Sequence, residues 1–471
     1  MKILIIGAGR IGSAVAESLV SEANDITVID LSPSNISWLQ SRYDLRGIVG
    51  DALSPAMLKE GGADDTDMLI AVTASDETNL AVCLLAAKIF NIPTRIARVR
   101  NSDLRSYPRI LKEKGFCATT VIWPELALTN YLAMLIDIPE ALQVQDFGDG
   151  AATLIAVSAE PGSPMVGGPV SELQAHIPYA RARIMAIFRG GRSLEISKRT
   201  LIEGGDEVLV LCDPHHARLA TTQFRRRAGL VRNLIIAGSP EMAAGLVDIL
   251  LDGKTLSVSP PENIRIIESD AQKAEKLALD LNGRAVVLSG DFDDEDTLLG
   301  AGVENCDLFI SLSDDDENNI LSAMLAKRLG AERTIALVNR RIYGDLIEGS
   351  KIDVTVSQTR AALDELVRYV RRGDVTASYT LRHGIAEALE IVAHGTKKTS
   401  RVIGRPADKL MLPDGCRVAA VIRLHEGAES QVLMLDEVQE IEPEDHLILF
   451  IPNRRLIPKI ERLFAVDVGF F

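Results

Sequence analysis

Three glycines within six residues, Gly7, Gly9 and Gly12, follow an apolar run at residues 3–6. They open an amphipathic helical pattern carrying Val15, Leu19 and Val20. Strand, tight turn and helix with this glycine spacing form the pattern that receives the pyrophosphate of a dinucleotide. Gly7 permits the sharp turn, Gly9 lets the backbone approach the phosphates, and Gly12 lets helix and strand lie close together. N–H groups at the helix start, backed by the positive end of the helix dipole, supply the anion contacts. A second apolar run, residues 26–29, ends in Asp30, eighteen residues past Gly12. A carboxylate there accepts hydrogen bonds from both ribose hydroxyls and repels a 2′-phosphate, so the spacing predicts NAD(H) over NADP(H). The alternative for Asp30 is a strand-end residue that caps the next turn.

Further polar residues fall where other short apolar runs end. Residues 48–49 lead into Gly50 and Asp51, and residues 69–72 into Thr73 and Ala74. Runs at 95–99 and 118–122 close the series, after a helix around 80–90. Short continuous apolar strands separated by helices predict a doubly wound parallel sheet covered on both faces. Its ligands bind at the carboxyl ends of the strands, where Gly7, Asp30, Asp51 and Thr73 lie. Asp51 reads equally well as a turn former.

Catalytic and metal chemistry find less support. A dehydrogenase needs a proton donor or acceptor opposite the nicotinamide, usually His or Lys. His176, His215, His216, His383, His394, His425 and His446 form no recognisable acid–base pair. The reading is therefore a non-enzyme, with an NAD-dependent oxidoreductase as the alternative. The run Asp314, Asp315, Asp316 and Glu317 offers oxygen ligands for a divalent cation. It also begins a helix, where carboxylates favour the dipole, and is read that way.

Composition narrows the partners. The 471 residues carry 51 basic and 66 acidic side chains, a net charge of −15, and only 4% aromatics. This excludes a nucleic-acid footprint and disfavours direct contact with an anionic bilayer. The five cysteines are dispersed, with no C-x-x-C pair, and four of them, beside apolar neighbours, read as small buried hydrophobes of a reduced cytoplasmic protein. No apolar run approaches the ~18 residues of a membrane span, and the N-terminal run is too short for a signal peptide.

The chain then repeats. Residues 234–236 restate 4–6, residues 264–268 restate 26–30, Gly290-Asp291 restates Gly50-Asp51, and residues 313–319 restate 73–79. A glycine- and proline-punctuated β-rich segment recurs too: residues 183–189 match 417–423, and Gly205-Asp206 matches Glu444-Asp445. Helical stripes, Leu128-Leu132-Leu135-Ile136 and Leu363-Leu366-Val367-Val370, join the parts. Such a stripe is either local core or a dimerisation arm. The architecture is two tandem copies of a Rossmann-like α/β domain followed by a small β-rich α+β domain. The boundaries are 1–122, connector 123–142, 143–226, 227–352, connector 353–372, and 373–471.

Two tandem copies of this pair resemble the RCK (KTN) regulators of potassium transport, along essentially the entire chain. The resemblance rests on the G-x-G-R-x-G opening, Gly50-Asp51, Thr73…Asp76-Glu77…Asn79, Arg98 and the domain order. It implies a cytoplasmic regulatory ring, a tetramer, that docks on a membrane-embedded potassium channel and gates it, without entering the membrane itself. It implies NAD(H) as ligand, with ATP or ADP as the alternative. Carried onto this sequence, Gly7, Ala8, Gly9, Arg10, Ile11 and Gly12 would wrap the phosphates and Asp30 would hold the ribose. Asp51, Thr73 and Ala74 would lie along the nucleotide, and Arg98 would supply a cation. In the second copy, Gly7, Gly9 and Gly12 align with Ala237, Ser239 and Met242, with Gly238 one place from register. Glu268 replaces Asp30 and could still hold a ribose; Arg98 aligns with Val338 or Leu337. The second site is expected to be weakened.

Overall fold

In the computed structural model, the described residues are 1–20, 24–112, 114–226, 229–252, 260–347, 351–370, 375–423, 430–435 and 437–466, and the side chains of Arg341, Asp345, Leu346, Arg368 and His383 fall outside that description. His425 lies outside the described residues. The chain forms two compact units, residues 1–128 with 357–366, and residues 129–356 with 367–471.

The first unit is built on six strands: β1 Lys2–Ile6, β2 Asp25–Asp30, β3 Arg46–Val49, β4 Met68–Ala71, β5 Thr94–Arg98 and β6 Thr120–Ile122. All pair parallel in the order β3-β2-β1-β4-β5-β6. Every residue of β4, and four of the five in β1, is buried, which is why these strands read as unbroken apolar runs. The strand order reverses between β1 and β4, so a crevice opens at their carboxyl ends. The unit also includes the first part of helix Gln358–Val370, from the second connector.

The second unit holds a matching sheet. Its strands are β12 Asn233–Ala237, β13 Asn263–Glu268, β14 Val286–Ser289, β15 Leu308–Ser311, β16 Arg333–Leu337 and β17 Val354–Val356, ordered β14-β13-β12-β15-β16-β17. Two antiparallel five-stranded sheets accompany it. One contains β7 Ala141–Phe147, β8 Ala152–Ser158, β9 Ala182–Arg189, β10 Arg192–Ser193 and β11 Glu207–Cys212. The other contains β18 Val375–Leu381, β19 Ala386–Ala393, β20 Arg417–Arg423, β21 Gln431–Met434 and β22 Asp445–Ile451. Strand β7 is absent from the sequence reading because Gln143, Gln145 and Asp146 break its apolar pattern.

The small domains are two in sequence but share one core. Ala388 and Phe450 join Leu154, Leu211 and Phe188 in a single cluster, while Leu389, the next residue of β19, faces the opposite core with Ile457 and Phe464. A sheet covered by its own helix on one face still needs a cover for the other, and here each domain covers the other. Phe188 meets Phe450 edge-on at 6.2 Å, and Phe147 meets Tyr379 at 5.2 Å. Arg382 crosses over to Glu207 at 2.7 Å. Inside each domain a buried carboxylate is gripped by a two-toothed arginine fork. Arg189 holds Asp206 through two 2.8 Å bonds, and Arg423 holds Asp445 identically.

On the shared face, Glu390 accepts the Gly148 N–H at 2.9 Å and lies 2.6 Å from His446. Burial pushes its acidity the other way, yet the His446 and Gly148 contacts hold Glu390 below the ordinary carboxylate range. A depressed folded-state value means stability that is present above the ordinary carboxylate pKa and is lost as pH falls through the depressed one. Thermal scans from pH 7 to pH 3 should therefore show an acid-side loss that Glu390→Gln flattens. An unchanged acid limb would assign that loss to other carboxylates.

The cysteines follow the sequence reading. Cys83, Cys117, Cys212 and Cys306 are buried, and burial pushes the Cys83 and Cys306 thiols up to about 12. The stripe on helix Pro124–Asp137 is also covered: Leu128, Leu132 and Leu135 are 0% exposed and Ile136 3%. The stripe is therefore covered within a single chain rather than facing water. Leu132→Glu should lower the melting temperature sharply, since an unpaired buried carboxylate costs several kcal/mol. A wild-type melting curve with a halved sedimentation mass would return the stripe to an assembly role.

Candidate nucleotide site

Gly7 stands at φ +101°, directly after β1, where a side chain would be strained and would press on Thr73. Its N–H donates to the Ile29 carbonyl of β2 at 2.9 Å, so the turn is anchored between the two strands. Helix Arg10–Val20 starts after Gly9. A Cβ on Gly12 would sit 1.9 Å from the Gly7 carbonyl oxygen, so this glycine is fixed by the turn rather than by the strand. A Cβ on Gly9 would meet nothing within 4 Å, leaving open space on the side where phosphates would lie. The N–H groups of the first helical turn have no partner inside the helix and line that space. Arg10 is exposed there and Ile11 is buried beneath.

Asp30 ends β2 beside this turn. Its Oδ2 accepts the Ala8 N–H at 2.6 Å and its Oδ1 accepts the Ser32 N–H at 2.7 Å. The carboxylate is thus fixed beside the turn, partly exposed. Asp51 is exposed and accepts the Leu53 N–H at 2.9 Å, which is its turn-forming role.

Thr73 and Ala74 follow β4, and a residue the sequence reading gave no role to holds them. Asn79 is 0% exposed; its Oδ1 accepts from the Thr73 N–H at 2.9 Å and the Thr73 hydroxyl at 2.7 Å. Its Nδ2 donates to the carbonyls of Thr73 and Arg98, tying the ends of β4 and β5 together. Asn319 repeats this brace on Ser313 and Leu337. The repeated S/T…N spacing was the available signal.

Arg98 ends β5 and is 9% exposed. Its Nη2 donates to Glu125 at 3.0 Å, while its Nε is buried without a hydrogen bond. The same Glu125 oxygen accepts from Arg100 at 3.3 Å and from Gln358 at 2.7 Å. Trp123 donates its N–H to Glu365 at 3.2 Å. Glu125 was not foreseen, because nothing in its local sequence separates it from a helix-start carboxylate.

The second copy differs by length as well as composition. Gly238, φ +79°, packs on Ser313 and donates to the Ile267 carbonyl, so it occupies the place of Gly7. The register read from sequence, with Ala237 opposite Gly7, is corrected here: Ala237 matches Ile6, since they pair with Ser311 and Ala71 respectively. Three residues join strand to helix in the first copy and two in the second, where Ser239 is forced to φ 45° and Pro240 starts the helix. Proline brings no N–H and no charge where the first copy has Arg10. Glu268 keeps the place of Asp30, is 6% exposed, and accepts the Asp270 N–H at 2.9 Å. Leu337, not Val338, takes the place of Arg98, because each gives its carbonyl to the bracing asparagine.

The acidic run is structural. Asp315 caps its helix through the Asn318 N–H, Asp316 accepts from the N–H groups of Asn339 and Arg340, and Glu317 meets Arg340 and Tyr343. Histidines with described partners are likewise engaged in the small domains, His394 with Glu444 and His446 with Glu390.

Fold and site together define a tandem RCK-type protein, two Rossmann-like domains each followed by a smaller β-rich one. The TrkA-N domain model matches residues 3–124 and again 234–358, and the TrkA-C domain model matches 154–225. The chain belongs to the TrkA family of Trk-system potassium uptake proteins. It is 39% identical over 465 residues to the Trk system potassium uptake protein TrkA of Vibrio alginolyticus, covering 98% of each chain. To the protein of the same description from Haemophilus influenzae it is 38% identical over 471 residues, 100% of each. Among solved structures, the GsuK channel superposes with a TM-score of 0.60 at 17% identity, covering 98% of this chain and 78% of that one. The GsuK channel bound to NAD superposes with 0.59 at 16% identity, with the same coverage. These two likenesses establish the fold.

Proposed function

We propose that this chain is the nucleotide-sensing regulatory subunit of a potassium uptake system, binding NAD(H) in its first copy and gating a membrane channel. The observation that carries the nucleotide half is the first-copy ledge, with the open side of Gly9, the helix start at Arg10 and the fixed Asp30 carboxylate. Full-length similarity to the TrkA potassium uptake proteins supports the potassium half. No helix among the described residues is long and apolar enough to cross a membrane, which agrees with peripheral attachment through a partner. A homotetrameric ring rests on the family resemblance alone.

The residues suggest how binding is read out. A phosphate reaching the end of β5 competes with Glu125 for Arg98, whose second face has an unused Nε donor. Releasing Glu125 changes its hold on Gln358, at the start of the second connector helix. A ligand shifts a conformational equilibrium only by its differential affinity for the two states, and this contact differs between them. The test is potassium flux in vesicles holding the channel partner and this chain, titrated with NADH, NADPH and ATP. NADH should change flux at concentrations where NADPH, repelled by Asp30, does nothing. Flux indifferent to all three nucleotides would remove the sensing role.

A further inference from the structure

We infer that the second small domain carries a separate binding site for a small amphiphilic organic anion, such as a medium-chain carboxylate, distinct from the nucleotide ledge. A groove of about 470 Å³ runs between helix Ile457–Phe464 and the segment at 411–414. Among the described residues, Leu412, Pro413, Leu456 and Leu463 give it an apolar lining, Arg401, Lys459 and Arg462 a basic one, and Asp414 a single carboxylate. Met411, 81% exposed, forms an apolar lip. An exposed methionine beside half-buried leucines is an adaptable surface for an apolar body. The volume is that of a site for one small ligand.

The first copy serves as an internal control. Asp213 and Asn453 cap the corresponding helices in the same way, and Phe224 and Phe464 anchor their ends, which fixes the register. In that register Lys459 and Arg462 replace Leu219 and Thr222, and Leu463 replaces Gln223. The second copy has thus gained two cations on the rim and a leucine on the floor, in a protein whose net charge is −15. Two exposed cations gained at Lys459 and Arg462, beside one lining carboxylate, favour an anion, and the apolar floor favours a hydrocarbon body. A bilayer surface fits less well, because the chain as a whole repels anionic lipid.

The experiment uses the full chain saturated with NADH, labelled with 13C at methionine methyls, the Met411 signal being assigned from Met411→Leu. Sodium decanoate should move that signal saturably, at least tenfold more tightly than decanol or acetate, since head and body each contribute. Lys459→Glu with Arg462→Glu, both exposed and therefore safe for folding, should weaken the response at least tenfold while NADH binding is retained. Phosphatidylglycerol vesicles should leave the signal in place. The inference is overturned if decanoate does not move Met411, if the charge-reversed chain responds equally, or if only vesicles produce the shift. Failure of NADH to bind would strike the sensing proposal alone.

Discussion

Asp30→Ala is expected to weaken NADH binding roughly ten- to hundredfold and to abolish nucleotide-dependent change in potassium flux, while Glu268→Ala leaves both near wild type. Hydrogen bonds to a charged group contribute ~1.5–3 kcal/mol each, which sets the size of the loss. Asp30 sits beside a three-residue turn with an open face at Gly9 and an N–H at every early helix position. Glu268 sits beside a turn one residue shorter, with Ser239 at φ 45° and Pro240 leading the helix. The contrast separates sensor from scaffold. Calorimetric titration of the intact chain, followed by flux with the channel present, reads both halves. Should Glu268→Ala lose the response and Asp30→Ala keep it, the shortened turn is the working one and the assignment is reversed.

The second large effect concerns stability. Arg423→Leu should destabilise the small-domain pair by ~3–5 kcal/mol, because it leaves the Asp445 carboxylate, 0% exposed, without its counter-charge. At ~2–4 °C per kcal/mol this lowers the melting temperature by roughly 6–20 °C. Replacing both partners, Arg423→Leu with Asp445→Leu, should recover much of the loss, since the pair as a whole contributes little net stability over a packed apolar one. As the two small domains share one core, the transition of both should shift together. NADH affinity of the first copy should not change. If the single and double variants melt alike, the fork is not what holds Asp445 in place.

Local pattern carried much of this. The glycine turn at Gly7 and the strand-end Asp30 were legible because each depends on residue type at a fixed distance along one chain segment. The residues of the matching forks, Arg189 with Asp206 and Arg423 with Asp445, recur between the copies in sequence, but only the fold joins each arginine to its aspartate. The second copy was misread by one residue. Aligning apolar runs cannot reveal a deletion inside a turn, whereas the partners of Gly238 locate it directly. Asn79 and Asn319 were seen as repeated letters, and only the distances show that each bridges two strand ends.

By itself the sequence determined the fold class, the duplication, the intact first turn and the degenerate second one, since hydrophobic period and glycine spacing are local properties of a chain. Tertiary structure alone decided three things. The small domains cover one another through Phe188 and Phe450, Glu125 is shared between Arg98 and Gln358, and the connector segment 357–366 belongs with the first nucleotide domain. Each joins residues more than 20 positions apart, most of them more than 200, by burial or by one shared oxygen. Nothing in a segment's own pattern records which distant surface will cover it.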